Sequence, residues 1–153
     1  MFKIEEPIKK ITKSLILCGD SLEVMKNLPD KSIDLVFTSP PYAGLLRKYS
    51  QDSRDLGQLS VEIFKEKFMD YVHEICRILR HESGCCFVLN LGPKYESGYN
   101  TFYAEEIAIK IRKETPLSLV DSVPWCLSQD TILYAKTQKG EIPTTIREVV
   151  RLL

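Results

Sequence analysis

Apolar residues along this chain of 153 residues fall into short unbroken runs, separated by longer stretches with a three-to-four-residue rhythm. SLILC (14–18), IDLVF (33–37) and CCFVLNL (85–91) are runs of the first kind, and each predicts a buried strand. SLILC ends in GDS, where Asp20 or Ser21 caps a short helix, LEVMKNL (22–28), before Pro29 and Asp30 turn the chain into IDLVF. After Ser60, the residues Val61, Phe64, Phe68, Tyr71, Val72, Ile75 and Leu79 share one face. They predict an amphipathic helix over 61–81, with Gly84 as its C-terminal stop. A second amphipathic helix is predicted over 102–113. LSLVDSVPW (117–125) and TILYAK (131–136) predict an antiparallel pair of late strands, and TTIREVVRLL (144–153) predicts a short closing helix.

Strands alternating with helices predict an α/β fold, with a mainly parallel sheet and helices on its faces. Ligands of such sheets gather beyond the carboxyl ends of the strands. Three polar loops are predicted on that rim: Gly19-Asp20, TSPPY (38–42) and Asn90-Leu91-Gly92. The stretch from Tyr42 to Gly57 has no clear period and reads as a polar loop, long enough for a lid or a binding loop.

Composition narrows the class without naming a chemistry. A hydrophobic content of 44% and a charged content of 27% are those of one ordinary globular domain, here residues 1–153. The polar start, MFKIEEPIKKITKS, and the lack of an apolar run of spanning length predict a cytoplasmic protein with no membrane partner. The five cysteines lack CxxC spacing, which favours reduced, mostly buried thiols over a disulfide or a metal site. With 21 basic and 21 acidic residues the overall field does not attract nucleic acid, so a DNA-binding groove has to be local or come from another chain.

TSPPY carries the most specific chemistry. Two prolines cannot continue a ladder, so carbonyls that would enter a sheet stay rigid and unpaired. Ser39 adds a hydroxyl in front of them, and Tyr42 adds a flat ring behind. An exocyclic base amine is a poor nucleophile because its lone pair is delocalised into the ring, and accepting both of its hydrogens localises that pair. A base reaches such a turn only by leaving its duplex. The same residues also serve as a plain structural turn, with Tyr42 as a packing residue.

The block GDSLEVMKNLPDKSIDLVFTSPPY, followed by RDLGQLSVEIFKEKFMDYVHEICRILRHESGCCFVLNLGPKY and DTILYAK, resembles the amino-methylating DNA methyltransferases that use S-adenosylmethionine. It is similar to the permuted subgroup whose catalytic motif precedes the cofactor motif, and its serine resembles the cytosine-N4 enzymes more than the adenine-N6 ones. The resemblance implies a partial Rossmann-like methyltransferase sheet. It implies that Ser39 and the Pro40 carbonyl bind the target amine, that Pro41 holds the turn, and that Tyr42 stacks on the flipped base. It implies Asp20 and Thr38 at the cofactor, although Asp20 serves equally well as a helix cap. Asn90 either lines the base pocket or satisfies loop backbone, and Trp125 is either a pocket wall or a core residue. The implied reaction is direct displacement at the sulfonium methyl, without metal or covalent intermediate, in the setting of restriction and modification.

Two departures qualify this match. None of the seven glycines forms the FxGxG turn that holds the methionine part of the cofactor, and the polar insert usual between Trp125 and DTILYAK is missing. The match therefore covers about the first half of a complete enzyme. An unpaired sheet edge and an uncovered apolar face are expected. DNA and a complementary subunit or a second copy of this chain are the implied partners. A silent methyltransferase-fold remnant acting as a binding or regulatory module, and an RNA base methyltransferase, are the alternatives.

Overall fold

Leu35–Thr38 (β1) and Cys86–Leu91 (β2) run side by side in parallel, with Thr38 opposite Leu89. The computed structural model describes residues 14–44, 52, 54–82, 84–97, 99–126 and 146–152. A two-stranded hairpin, Tyr95–Glu96 (β3) and Tyr99–Asn100 (β4), follows β2. Leu119–Cys126 (β5) and Ile146–Leu152 (β6) complete a sheet in the order β1-β2-β6-β5, in which β6 is antiparallel to both of its neighbours. Strands β1, β2 and β5 thus share one direction. The α/β sheet expected from the sequence is present, with three of its four strands in one direction and β6 antiparallel between β2 and β5.

Ser21–Met25 (α1) begins at Asp20, whose carboxylate accepts from the backbone N–H of Leu22 at 3.0 Å. Val61–Ile78 (α2) begins at Ser60, whose hydroxyl accepts from Ile63 N–H. Tyr103–Glu114 (α3) lies beside α2, joined to it by the tilted contact of the Phe64 and Tyr103 rings and by the Lys65–Glu106 ion pair. The helical rhythm has its expected outcome. Phe64, Phe68, Val72 and Ile75 of α2, Ile107 and Ile111 of α3, and Phe87, Leu89 and Leu91 of β2 form one buried core. No helix among the described residues is long and apolar enough to cross a membrane.

Four expectations are corrected. SLILC is not a buried strand: residues 14–18 are irregular and exposed, with Ile16 97% accessible. An apolar run becomes a strand only where a neighbour takes its backbone groups, and among the described residues β1 pairs with β2 alone. The long helix ends at Ile78 rather than at 81. Leu79 turns extended and bridges to Ile33, and Arg80 N–H donates to the Ile33 carbonyl, so pairing outweighs helix propensity. Gly84 does not cap that helix; it takes a φ of +94° in the turn that enters β2. The closing segment is a strand over 146–152, not a helix, because β2 and β5 flank it and its β-branched Ile146, Val149 and Val150 suit a ladder. The partner of β5 is therefore β6; TILYAK lies outside the described residues. Cys85 and Cys86 are buried and Cys76 is half-buried, all as free thiols, whereas Cys18 is exposed, against the expectation of burial.

Alternation leaves β1 with one covered and one open face. Val36 packs on the core, while Leu35 and Phe37 are 56% and 61% exposed on the other side.

Arg77 fastens α1 to this frame. Its guanidinium donates to the carbonyls of Met25 and Leu28, at 2.8 and 2.9 Å, and pairs with Glu74 and Asp30. Replacing it with alanine leaves the Leu28 carbonyl without a donor among the described residues and the Met25 carbonyl with only Leu28 N–H. Arg77→Ala is expected to lose about 1–3 kcal/mol in urea denaturation, and Arg77→Lys to recover only part of that, because one ammonium lacks the planar fork.

Candidate active site

The TSPPY turn leaves the sheet where β1 ends. Ser39 is exposed, Pro40 is buried, and Pro41 and Tyr42 are half-buried. Among the described residues, neither the Ser39 hydroxyl nor the Pro40 carbonyl has a hydrogen-bond partner. The two acceptors are held by proline geometry without being consumed by it.

Behind the turn, packing is tight. A Cβ on Gly92 would lie 3.0 Å from Cε2 of Tyr42, so the ring occupies the space that the missing side chain leaves. Ala43 N–H donates to the Tyr103 hydroxyl at 3.4 Å. Burial pushes the Tyr103 phenol far above its usual range, so it stays protonated at any ordinary pH. The Tyr42 hydroxyl and the Asn90 Oδ1 are both buried without a hydrogen-bond partner among the described residues. Asn90 follows Leu89, the partner of Thr38, so the parallel register carried one step further sets Asn90 beside Ser39 on the neighbouring chain segment. Neighbouring strands lie about 4.8 Å apart, so both orphaned groups stand at the same end of β1 and β2.

In front of the turn lies a cavity of ≈ 520 Å³, lined by Asp20, Thr38, Ser39, Pro40, Arg54 and Tyr71 among others. Of its two alternatives Asp20 takes the helix cap, and it also lines the cavity. Its second oxygen accepts from the Arg54 guanidinium at 3.1 Å. Arg54 also grips Asp52 and holds that carboxyl well down, at about 2. Sequence reading placed Arg54 only in a polar loop. Its contact with Asp20 spans 34 positions, and no local pattern marks it. Trp125 is not gathered with the others. It stands on β5 opposite Arg147, in the strand farthest from β1.

This arrangement has known counterparts. Over 88% of this chain and 46% of the other, it superposes on the PvuII DNA methyltransferase (cytosine-N4-specific), with a TM-score of 0.65 and 23% identity. The fold is that of an α/β methyltransferase. A protein of Thermus thermophilus described as a putative DNA modification methylase, complexed with S-adenosyl-L-methionine, matches 88% of this chain and 50% of its own, with a TM-score of 0.62 and 22% identity.

Sequence comparison finds homologues among type II DNA methyltransferases. M.XycI of Xanthomonas campestris pv. cyanopsidis is 30% identical over 124 residues, 75% of this chain and 40% of the relative. M.Cfr9I of Citrobacter freundii is 30% identical over 132 residues, 80% of this chain and 43% of the relative. M.PvuII of Proteus hauseri is 28% identical over 123 residues, 79% and 34% respectively. The chain spans less than half the length of these curated relatives. No family model matches it.

The close approach of Gly92 and Tyr42 is open to measurement. Gly92→Ala is expected to destabilise the fold by about 1–3 kcal/mol through overpacking. In the Tyr42→Ala background the clash is gone, so the double variant should lose clearly less than the sum of the two single changes in a denaturation cycle. Strict additivity would mean that the ring does not depend on the missing side chain.

Proposed function

We propose that this chain supplies the catalytic half of an S-adenosylmethionine-dependent enzyme that methylates an exocyclic amine of a DNA base, cytosine N4 in preference to adenine N6. The observation that carries the reading is the pair of unpartnered acceptors, Ser39 Oγ and the Pro40 carbonyl, rigid at the end of β1 and open to a cavity. They accept the two hydrogens of the amine, localise its lone pair and stabilise the positive charge that grows on nitrogen as it is alkylated. Pro41 fixes the turn, and Tyr42, braced on Gly92, forms an aromatic wall for the base. The orphaned Asn90 Oδ1 is an acceptor for a second donor on the base edge.

Asp20 and Thr38 line the same cavity, a donor and acceptor set that suits the nucleoside side of S-adenosylmethionine. That cofactor, when bound, supplies an electrophilic methyl group. The methionine side is a different matter, since no GxG occurs anywhere in the chain. The remainder of the site then comes from a further portion equivalent to what the longer relatives carry, in a complementary subunit or a second copy. The open face of β1, with Leu35 and Phe37 exposed, supports this need. The Asp20–Arg54 bridge closes one side of the cavity, so Arg54 positions the carboxylate that faces the cofactor.

Calorimetric titration with S-adenosylmethionine distinguishes a chain that holds the cofactor alone from one that needs the remainder. Transfer of tritiated methyl to mixed-sequence bacterial DNA reads the chemistry itself. Ser39→Ala is expected to reduce that transfer about 10²–10³-fold while leaving thermal unfolding unchanged, because Ser39 is exposed and its hydroxyl bonds to nothing among the described residues. Turnover retained by that variant would remove Ser39 from the mechanism. Digestion of the product to nucleosides should yield N4-methylcytosine, and N6-methyladenine would reverse the stated preference.

A further inference from the structure

The hairpin that follows β2 is built as a finger beside the turn. Its base is closed by Thr101, whose backbone N–H and hydroxyl both donate to the Lys94 carbonyl, at 2.9 and 3.0 Å. Two non-glycine residues in this segment take left-handed backbone, Ser97 at φ 51° and Phe102 at φ 54°. For a bulky ring that conformation is strained, and it persists only where the surroundings impose it. Here they do. Asn100 Oδ1 accepts from Phe102 N–H at 2.9 Å, and the next residue, Tyr103, is buried with its hydroxyl engaged by Ala43.

Burying Tyr103 thus turns Phe102 outward, where it is 62% exposed; Tyr99 on the same finger is 77% exposed. The base of the finger adjoins the segment after the TSPPY turn. Tyr103 bonds Ala43, and the Lys94 ammonium sits 3.0 Å from where a Cβ of Gly44 would be. Ala43 and Gly44 are the two residues after Tyr42. The exposed pair Phe102 and Tyr99 thus belongs to a hairpin whose base adjoins the segment that follows the turn assigned to the target base, with the Lys94 ammonium at that base.

We propose that this finger is a DNA-contacting element, in which Phe102, assisted by Tyr99, stacks on the bases left exposed when the target nucleotide leaves the duplex. The inference rests on the reading that the TSPPY turn acts on a base in DNA. Extruding a nucleotide opens a gap in the stack, and an aromatic side chain that fills it recovers stacking without reading sequence. A cation at the root of the finger suits the adjoining phosphates.

The test uses the full chain and two short fluorescein-labelled duplexes of the same sequence, one intact and one with a single central abasic site, compared by anisotropy at one low salt concentration. The abasic duplex is expected to bind roughly tenfold more tightly, as one base–aromatic stack would give. Phe102→Gly removes the ring and suits a positive φ, so it should fold at least as well as the parent while losing most of that preference. Tyr99→Ala is expected to reduce the preference less. No preference in the parent chain, including no binding at all, overturns the proposal, as does a preference that survives in the Phe102→Gly/Tyr99→Ala chain. If the same substitutions instead change the mass of the chain in solution and leave DNA binding alone, the aromatics belong to a protein interface and the proposal falls. Ser39→Ala separates the two readings, because it should keep the abasic preference while abolishing methyl transfer. Methyl transfer without abasic preference sinks the finger alone, and abasic preference without methyl transfer, once the remaining portion of the cofactor site is supplied, sinks the catalytic reading alone.

Discussion

Gly92 has no side chain, and the ring of Tyr42 packs within 3.0 Å of where a Cβ would stand. That single close approach locks the end of β2 to the end of the TSPPY turn. With Tyr42 braced there and Ala43 held by the Tyr103 hydroxyl, Pro40 and Pro41 are fixed from behind. Ser39 Oγ and the Pro40 carbonyl have no hydrogen-bond partner among the described residues and remain open to a ligand. Strand β2 transmits the constraint to the core: Phe87, Leu89 and Leu91 are fully buried in one cluster with the apolar faces of α2 and α3. The geometry of a surface turn is thus set by burial several residues away, and the proposed role of that turn as a rigid acceptor array depends on it.

Much of this was legible in the sequence, for identifiable reasons. Helix α2 shows itself because Phe64, Phe68, Val72 and Ile75 are packed by one face, and a one-faced helix writes its period into the chain. Strand β2 shows itself because it is buried on both faces, as a continuous run such as CFVLNL requires. The turn shows itself because no other residue pair stops a ladder as two prolines do. What was not legible depends on neighbours. SLILC is as apolar as any strand here, yet it stays exposed because no strand among the described residues takes its backbone. Residues 146–152 place Ile146, Val149 and Val150 at helical spacing, and only the gap between β2 and β5 makes them a strand.

The candidate site divides along the same line. Ser39, Pro40, Pro41 and Tyr42 are contiguous, so their association costs no inference about tertiary structure. Asn90 joins them through strand register, which an α/β reading supplies. Arg54 does not: it reaches Asp20 from a loop with no periodicity, and the ion pair exists only because α1 and that loop meet at the cavity. An exposed pair of this kind contributes little to stability, so its meaning lies in placement. It holds the Asp20 carboxylate while α1 uses the same group as a cap, and a residue committed to both tasks cannot drift from the cavity without fraying the helix.

The open side of β1 bears on what the fold still requires. Val36 belongs to the core, but Leu35 and Phe37 present large apolar surface on the other face, and SLILC adds Leu15, Ile16 and Leu17. Sheets of this class are normally covered on both faces, because each exposed aromatic ring forfeits a few kcal/mol of burial, on the order of 1.5–3 for a side chain of this size. The TSPPY turn stands at the end of that same strand. A partner segment laid along β1 would therefore cover its apolar face and close the cavity at Thr38 and Ser39 in one step. Under the proposed reading, coverage of the sheet and completion of the site would then be one event, a wall added to acceptors that the two prolines already hold rigid.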